Sequence, residues 1–154
     1  MSHGGQVGEP APDFELEGTN GLFRLSDQRG QWVVLLFYPG DRTPVCTRQF
    51  CSYRDDSDQM SKLGATVVGI SPQGIDSHRR WALDRALTVP LLADPDACVA
   101  RLYGAYVPLR GTTRSIVIVD DEGTVRHRDD RLVGLTYASA GELYDRLDSV
   151  RQPA

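Results

Sequence analysis

Two of the chain's three cysteines, Cys46 and Cys51, share one segment: Tyr38-Pro39-Gly40-Asp41-Arg42-Thr43-Pro44-Val45-Cys46-Thr47-Arg48-Gln49-Phe50-Cys51. The run before it, Trp32-Val33-Val34-Leu35-Leu36-Phe37-Tyr38, is the most apolar in the sequence and reads as a buried strand. Pro39 and Gly40 stop that strand, and Pro44 can open a helix. Cys46 then sits in the first helical turn. Backbone N–H groups there lack intrahelical partners, and the helix dipole is positive. Both favour the thiolate, the reactive form of cysteine.

A thiolate can displace one oxygen of a peroxide while the other leaves as water or alcohol. An ordinary thiol, with a pKa near ~8.5, is only a few per cent ionised at neutral pH. Making it mostly thiolate asks for about 3 kcal/mol of differential stabilisation. A helix N-terminus supplies up to about 2 kcal/mol, and a nearby guanidinium can supply the rest. Arg42, Arg48, Arg110 and Arg114 are candidates. Arg114 opens a central strand and would be held rigidly. Thr43 offers a hydroxyl to a peroxide oxygen. Pro39 and Pro44 would stiffen the loop and shield the sulfur.

The spacing of the two thiols carries its own demand. Residues five apart in a helix are separated by about 7.5 Å along the axis and point to different faces. A disulfide requires Cα atoms within roughly 7 Å. If both thiols lie in one intact helix they cannot bond, and if they are catalytic partners the helix must unwind in each cycle.

The elements that hold this segment follow in order. Phe14–Glu17 and Leu22–Leu25 read as a hairpin about Gly18-Thr19-Asn20-Gly21. The apolar strand comes next, then a helix from Pro44 to Leu63 closed by Gly64. Ala65–Ile70 is a second buried strand. A helix over about 76–86 carries Trp81, Leu83 and Leu87. Val89–Leu92 is a short extended piece, and Asp94-Pro95-Asp96 caps a brief helix through Tyr103. Cys98, beside Val99 and Leu102, reads as core packing. Arg114–Asp120 is a third strong strand, paired with Thr124–Arg128, and Tyr137–Val150 closes as a helix. Strands alternating with helices give an α/β chain with a mixed central sheet flanked by helices. The order matches a thioredoxin-like fold with an N-terminal β-hairpin extension, in one domain over residues 1–154.

Composition excludes several classes. At 154 residues with 40% hydrophobic residues, the chain can bury a real core. The net charge is −4 with no basic run, which argues against nucleic acid. No stretch reads as a membrane span or a signal peptide, so no membrane partner is expected. His3, His78 and His127 lack ligand spacing, so no metal site is expected from them. Three cysteines are too few for a disulfide scaffold, which fits a reducing cytoplasmic setting. The acidic run Asp55-Asp56-Ser57-Asp58 reads as a solvated helix face.

At the cysteine segment the sequence resembles the peroxiredoxins. The pattern Pro-x-x-x-Thr-x-x-Cys is met by Pro39, Thr43 and Cys46. The longer Tyr-Pro-x-Asp-x-Thr-Pro-x-Cys-Thr-x-x-x-Cys is similar to the bacterioferritin comigratory protein, or peroxiredoxin Q, subfamily. Leu25-Ser26-Asp27, Leu91-Leu92-Ala93-Asp94, Tyr103-Gly104 and Arg114-Ser115 extend the likeness along the chain. The resemblance implies Cys46 as peroxidatic and Cys51 as resolving cysteine. It implies that Thr43 and Arg114 bind and polarise the peroxide and that Pro39 shapes the pocket. A sulfenic acid at Cys46 would condense with Cys51, and thioredoxin or a similar dithiol would reduce the disulfide, with no metal, haem or flavin. Because both thiols lie on one chain, a monomer suffices. Val45 stands where the subfamily often has Gly, and Gln49 where it often has Glu. The residues alone also admit a thiol redox sensor or a non-catalytic thioredoxin-fold binding module.

Overall fold

The computed structural model describes residues 4–131 and 137–151. The strands are β1 (Glu15–Gly18), β2 (Gly21–Arg24), β3 (Val33–Phe37), β4 (Thr66–Ser71), β5 (Leu91–Ala93), β6 (Tyr106–Val107), β7 (Gly111–Thr112), β8 (Arg114–Val119) and β9 (Val125–Arg131). The helices are α1 (Pro44–Asp55), α2 (Ser57–Ser61), α3 (Ile75–Arg85), α4 (Cys98–Leu102) and α5 (Ala140–Arg151). Seven strands form one sheet in the order β2-β1-β5-β4-β3-β8-β9. β3, β4 and β5 run parallel, while β8, β9, β1 and β2 pair antiparallel to their neighbours. The sheet is mixed as expected, and the fold is thioredoxin-like. β3 is central and buried along its whole length, as its unbroken apolar run requires.

Alternation along the central strands divides the core into two layers. Val33, Leu35 and Phe37 meet Phe14, Leu16, Leu25, Val99, Ala100 and Tyr103 on one face. Val34, Leu36 and Tyr38 meet Cys46, Phe50 and Tyr53 of α1, Trp81 of α3 and Leu143 and Leu147 of α5 on the other. The cysteine segment therefore packs on the same face as α3 and α5.

The structure departs from the sequence expectations at several places. The helix read as running from Pro44 to Leu63 breaks at Asp56 (φ −107°, ψ 45°), with α2 beginning at Ser57. Like charges three apart, Asp55 and Asp58, disfavour one continuous helix, and Asp and Ser side chains favour caps over helix interiors. Cys98 is exposed, because Val99 and Ala100 supply the buried side of α4. Leu83 is 82% exposed, since the buried face of α3 is set by His78 and Trp81 and Leu83 points away from it. The sequence reading also left out the hairpin of β6 and β7, whose strands are only two residues long. The final helix begins at Ala140, and part of the stretch before it, residues 132–136, lies outside the described residues.

Gly69 shows how closely the sheet carries the cysteine helix. A Cβ on this β4 residue would lie 2.9 Å from the Phe50 ring and 3.1 Å from Leu91. Phe50 is fully buried and cannot swing into solvent. Gly69→Ala is therefore expected to cost about 1–3 kcal/mol by overpacking. Urea unfolding should show this as a lower midpoint at unchanged slope.

Candidate active site

Register brings Arg114 to the cysteine segment. β3 pairs antiparallel with β8, with Phe37 opposite Ser115 and Val33 opposite Val119. The first residue of β8 thus lies beside the end of β3, where the loop to α1 departs. Arg114 shares strand parity with Ile116 and Ile118, which face the Cys46 layer. Its Nη2–H donates to Cys46 Sγ at 3.0 Å, and both residues are buried. Of the four candidate arginines, Arg42 pairs with Asp84 at the surface, and Arg48 and Arg110 are exposed.

α1 begins as its sequence suggests. Thr43 is the N-cap residue in extended backbone, and Pro44 opens the helix. Cys46 is therefore the third helical residue. The Thr43 side chain makes no cap hydrogen bond to the helix. Its hydroxyl donates instead to the Gly40 carbonyl at 3.2 Å, which leaves the oxygen free to accept. The Val45 and Cys46 N–H groups of the first turn precede the first intrahelical bond, from Thr47 N–H to the Thr43 carbonyl. Cys46 thus combines a helix N-terminus with a guanidinium, and both stabilise negative charge on sulfur.

Gln49 continues the network. Arg114 Nη1–H donates to Gln49 Oε1. Gln49 Nε2–H donates to the Tyr53 hydroxyl at 3.0 Å, and Tyr53 donates to the Ala138 carbonyl at 2.6 Å. The amide at position 49 holds the guanidinium in place without adding a negative charge beside the sulfur. Cys51 lies in the same uninterrupted helix as Cys46 and is half-buried. All three cysteines are free thiols. Pro39 is exposed on the loop between Tyr38 and Gly40. Cys98 belongs to α4, whose buried neighbours pack on the opposite face of the sheet from Cys46.

A second group of polar residues escaped the sequence reading. The Asp41 carboxylate accepts from the Tyr38 hydroxyl at 2.7 Å, the Ser77 hydroxyl at 2.7 Å and His78 Nδ1 at 2.7 Å. The backbone N–H of Asp41 donates to Gln73 Oε1 at 3.0 Å. Burial alone would raise the Asp41 pKa. Hydrogen bonds from His78, Ser77 and Tyr38, with the His78 charge, outweigh burial and hold it below its ordinary value. Burial, reinforced by the Asp41 charge, pushes the Tyr38 phenol well above its ordinary value, so it stays protonated. Among the described residues, no three His, Cys, Asp or Glu side chains gather as a metal-ligand set. No helix among them is long and apolar enough to cross a membrane.

Residues 7–128 match the AhpC/TSA family. Peroxiredoxin 2 of Caldanaerobacter subterraneus is 36% identical over 130 residues, covering 79% of this chain and 59% of that protein. A putative peroxiredoxin bcp of Coxiella burnetii is 36% identical over 128 residues, 78% of this chain and 85% of that protein. The crystal structure of peroxidoxin BcpB from Mycobacterium tuberculosis superposes with a TM-score of 0.83 at 29% identity, covering 96% of this chain and 99% of that one. The chain spans about three fifths of the length of the first curated relatives it matches. The chain belongs to the AhpC/TSA family. Its relatives there are peroxiredoxins.

Two predictions follow from this geometry. A carboxylate in place of the Gln49 amide would compete with sulfur for the Arg114 charge. Gln49→Glu should slow alkylation of Cys46 at neutral pH severalfold, because the added carboxylate disfavours negative charge on the sulfur. An unchanged rate would show that the amide is not what leaves the guanidinium to sulfur. Asp41 has a lowered pKa when folded, so its stabilisation is complete above about pH 4, the ordinary aspartate range, and is lost as pH falls through the lowered value. Acid unfolding followed by circular dichroism should be shallower in Asp41→Asn than in wild type.

Proposed function

We propose that the chain is a thiol-dependent peroxidase that reduces hydrogen peroxide and organic hydroperoxides. The observation that carries this reading is the Arg114–Cys46 contact of 3.0 Å in the first turn of α1. The Cys46 thiolate attacks one peroxide oxygen. The O–O bond breaks, the departing oxygen leaves with the bonding pair and takes a proton, and Cys46 becomes a sulfenic acid. Arg114 and the N–H groups of the first turn stabilise the charge that passes from sulfur to the departing oxygen. Thr43, whose proton is committed to Gly40, accepts the peroxide O–H and orients it.

Cys51 then attacks the sulfenic sulfur, and water leaves as the Cys46–Cys51 disulfide forms. Both thiols start in one helix, so α1 must unwind before they meet. Thioredoxin or a similar dithiol returns both to thiols by exchange. A monomer suffices, because the resolving thiol is on the same chain, and free thiols suit a reducing cytoplasm.

The test is a thioredoxin-coupled assay of peroxide consumption. Cys46→Ser should abolish consumption. Cys51→Ser should consume a single equivalent of peroxide per chain and then stall. Undiminished turnover by Cys46→Ser would sink the proposal.

A further inference from the structure

The Asp41–His78 pair has no part in the chemistry just described, yet it is buried directly behind the thiol loop. The side chains of His78 and Asp41 are 0% and 2% exposed. Both ring nitrogens of His78 face acceptors. Nδ1 lies 2.7 Å and 3.0 Å from the two Asp41 oxygens, and Nε2 lies 3.0 Å from the Leu92 carbonyl oxygen. A neutral imidazole has one N–H and one lone pair, so it would set a lone pair against an oxygen. The imidazolium satisfies both contacts, and the pair is then a buried ion pair. Each Asp41 oxygen receives a further hydroxyl donor, Tyr38 on one and Ser77 on the other.

This pair is the buried anchor of the loop. Pro39, Arg42, Thr43 and Pro44 are exposed, and Asp41 alone among these loop residues sends a charged side chain inward. The anchor reaches three elements: the end of β3 through Tyr38, α3 through Ser77 and His78, and β5 through Leu92. Gln73, which accepts the Asp41 N–H, also accepts from Ser71 at the end of β4. Immediately after Asp41, Arg42 adopts a left-handed backbone (φ 64°), which a residue with a side chain seldom does without restraint. Thr43 and Pro44 follow and start α1. The direction in which α1 leaves the sheet, and hence the place of Cys46 against Arg114, follows from where Asp41 is held.

The geometry points to Asp41 and His78 as a positioning pair for the peroxidatic thiol, acting through the loop and not by contact with substrate. This deepens the peroxidase reading and rests on Cys46 being its nucleophile. The titratable groups facing the pair are Tyr38 from the end of β3 and, beyond it, Cys46 itself. A direct charge effect on Cys46 is therefore the rival explanation, and the two differ in sign. Removing the negative charge of Asp41 would favour the thiolate, and removing the positive charge of His78 would disfavour it. Loss of position disfavours the thiolate in both cases, because Cys46 drifts from Arg114 and the helix N-terminus.

The experiment uses the full chain in a Cys51→Ser/Cys98→Ser background, so that thiolate absorbance near 240 nm reports Cys46 alone. Asp41→Asn and His78→Gln are each titrated, and the rate of their first reaction with hydrogen peroxide is measured. Both variants should shift the thiolate midpoint upward, with a rate at neutral pH at least tenfold below that of the parent. Ser77→Ala removes one donor to Asp41 and no charge. It should move both readouts the same way by a smaller factor, and it tests the proposal even if the charge variants fail to fold. Opposite shifts in Asp41→Asn and His78→Gln, or unchanged midpoint and rate in folded variants or in Ser77→Ala, overturn the positioning role. If the parent does not react with peroxide while the midpoints still shift upward together, the peroxidase reading fails and the positioning of Cys46 stands.

Discussion

A sulfur buried against a guanidinium is the constraint around which this chain is arranged. Cys46 and Arg114 are both removed from water, and a charge in such a place is costly unless a partner is held at the right distance. That distance depends on two independent supports. Arg114 is placed by the β3–β8 register, and Cys46 by the loop that carries α1 away from the end of β3. A slip of one residue in that register would turn Arg114 to the opposite face of the sheet. The apolar residues of β3 and the Ile116–Val119 run of β8, packed on both faces, make such a slip expensive.

The helix that presents Cys46 is pinned at both ends by buried polar contacts. At the start, Asp41 ties the loop to α3 and β5. Near its end, Tyr53 hydrogen bonds to the Ala138 carbonyl. Between these pins, Cys46 and Gln49 hold Arg114, while Cys51 is half-buried. Pairing of the two thiols requires the middle of α1 to lose its helical form, and the pins mark where that loss can stop. The break at Asp56 separates α1 from α2, so unwinding need not spread into α2 and its packing against α5.

The family likeness and the site agree because both concern the same few residues. Pro39, Thr43 and Cys46 carry the local pattern, while Arg114 joins them only in three dimensions. Gln49 is a departure that the structure gives a use. As an amide it links Arg114 to Tyr53 and leaves no carboxylate to draw the guanidinium away from sulfur. Val45, the other departure, is half-buried beside Cys46 in the first turn of α1.

The sequence alone determined the main elements and placed Cys46 in the first turn of the helix that follows β3. An unbroken apolar run, a Pro-Gly stop and a proline three residues after Asp41 are local signals with local causes, and they define β3, the loop and the start of α1. Short or marginal pieces were less legible, since tertiary packing and not local propensity maintains the β6–β7 hairpin and the exposure of Cys98. The family likeness pointed to Arg114 among four arginines, but only the tertiary structure brings it against Cys46, because a β-sheet register relates positions 68 apart. Only it paired Asp41 with His78, 37 positions away, because that pairing depends on α3 crossing behind the thiol loop. No spacing within a sequence encodes such contacts; the sheet and the helices packed on it create them.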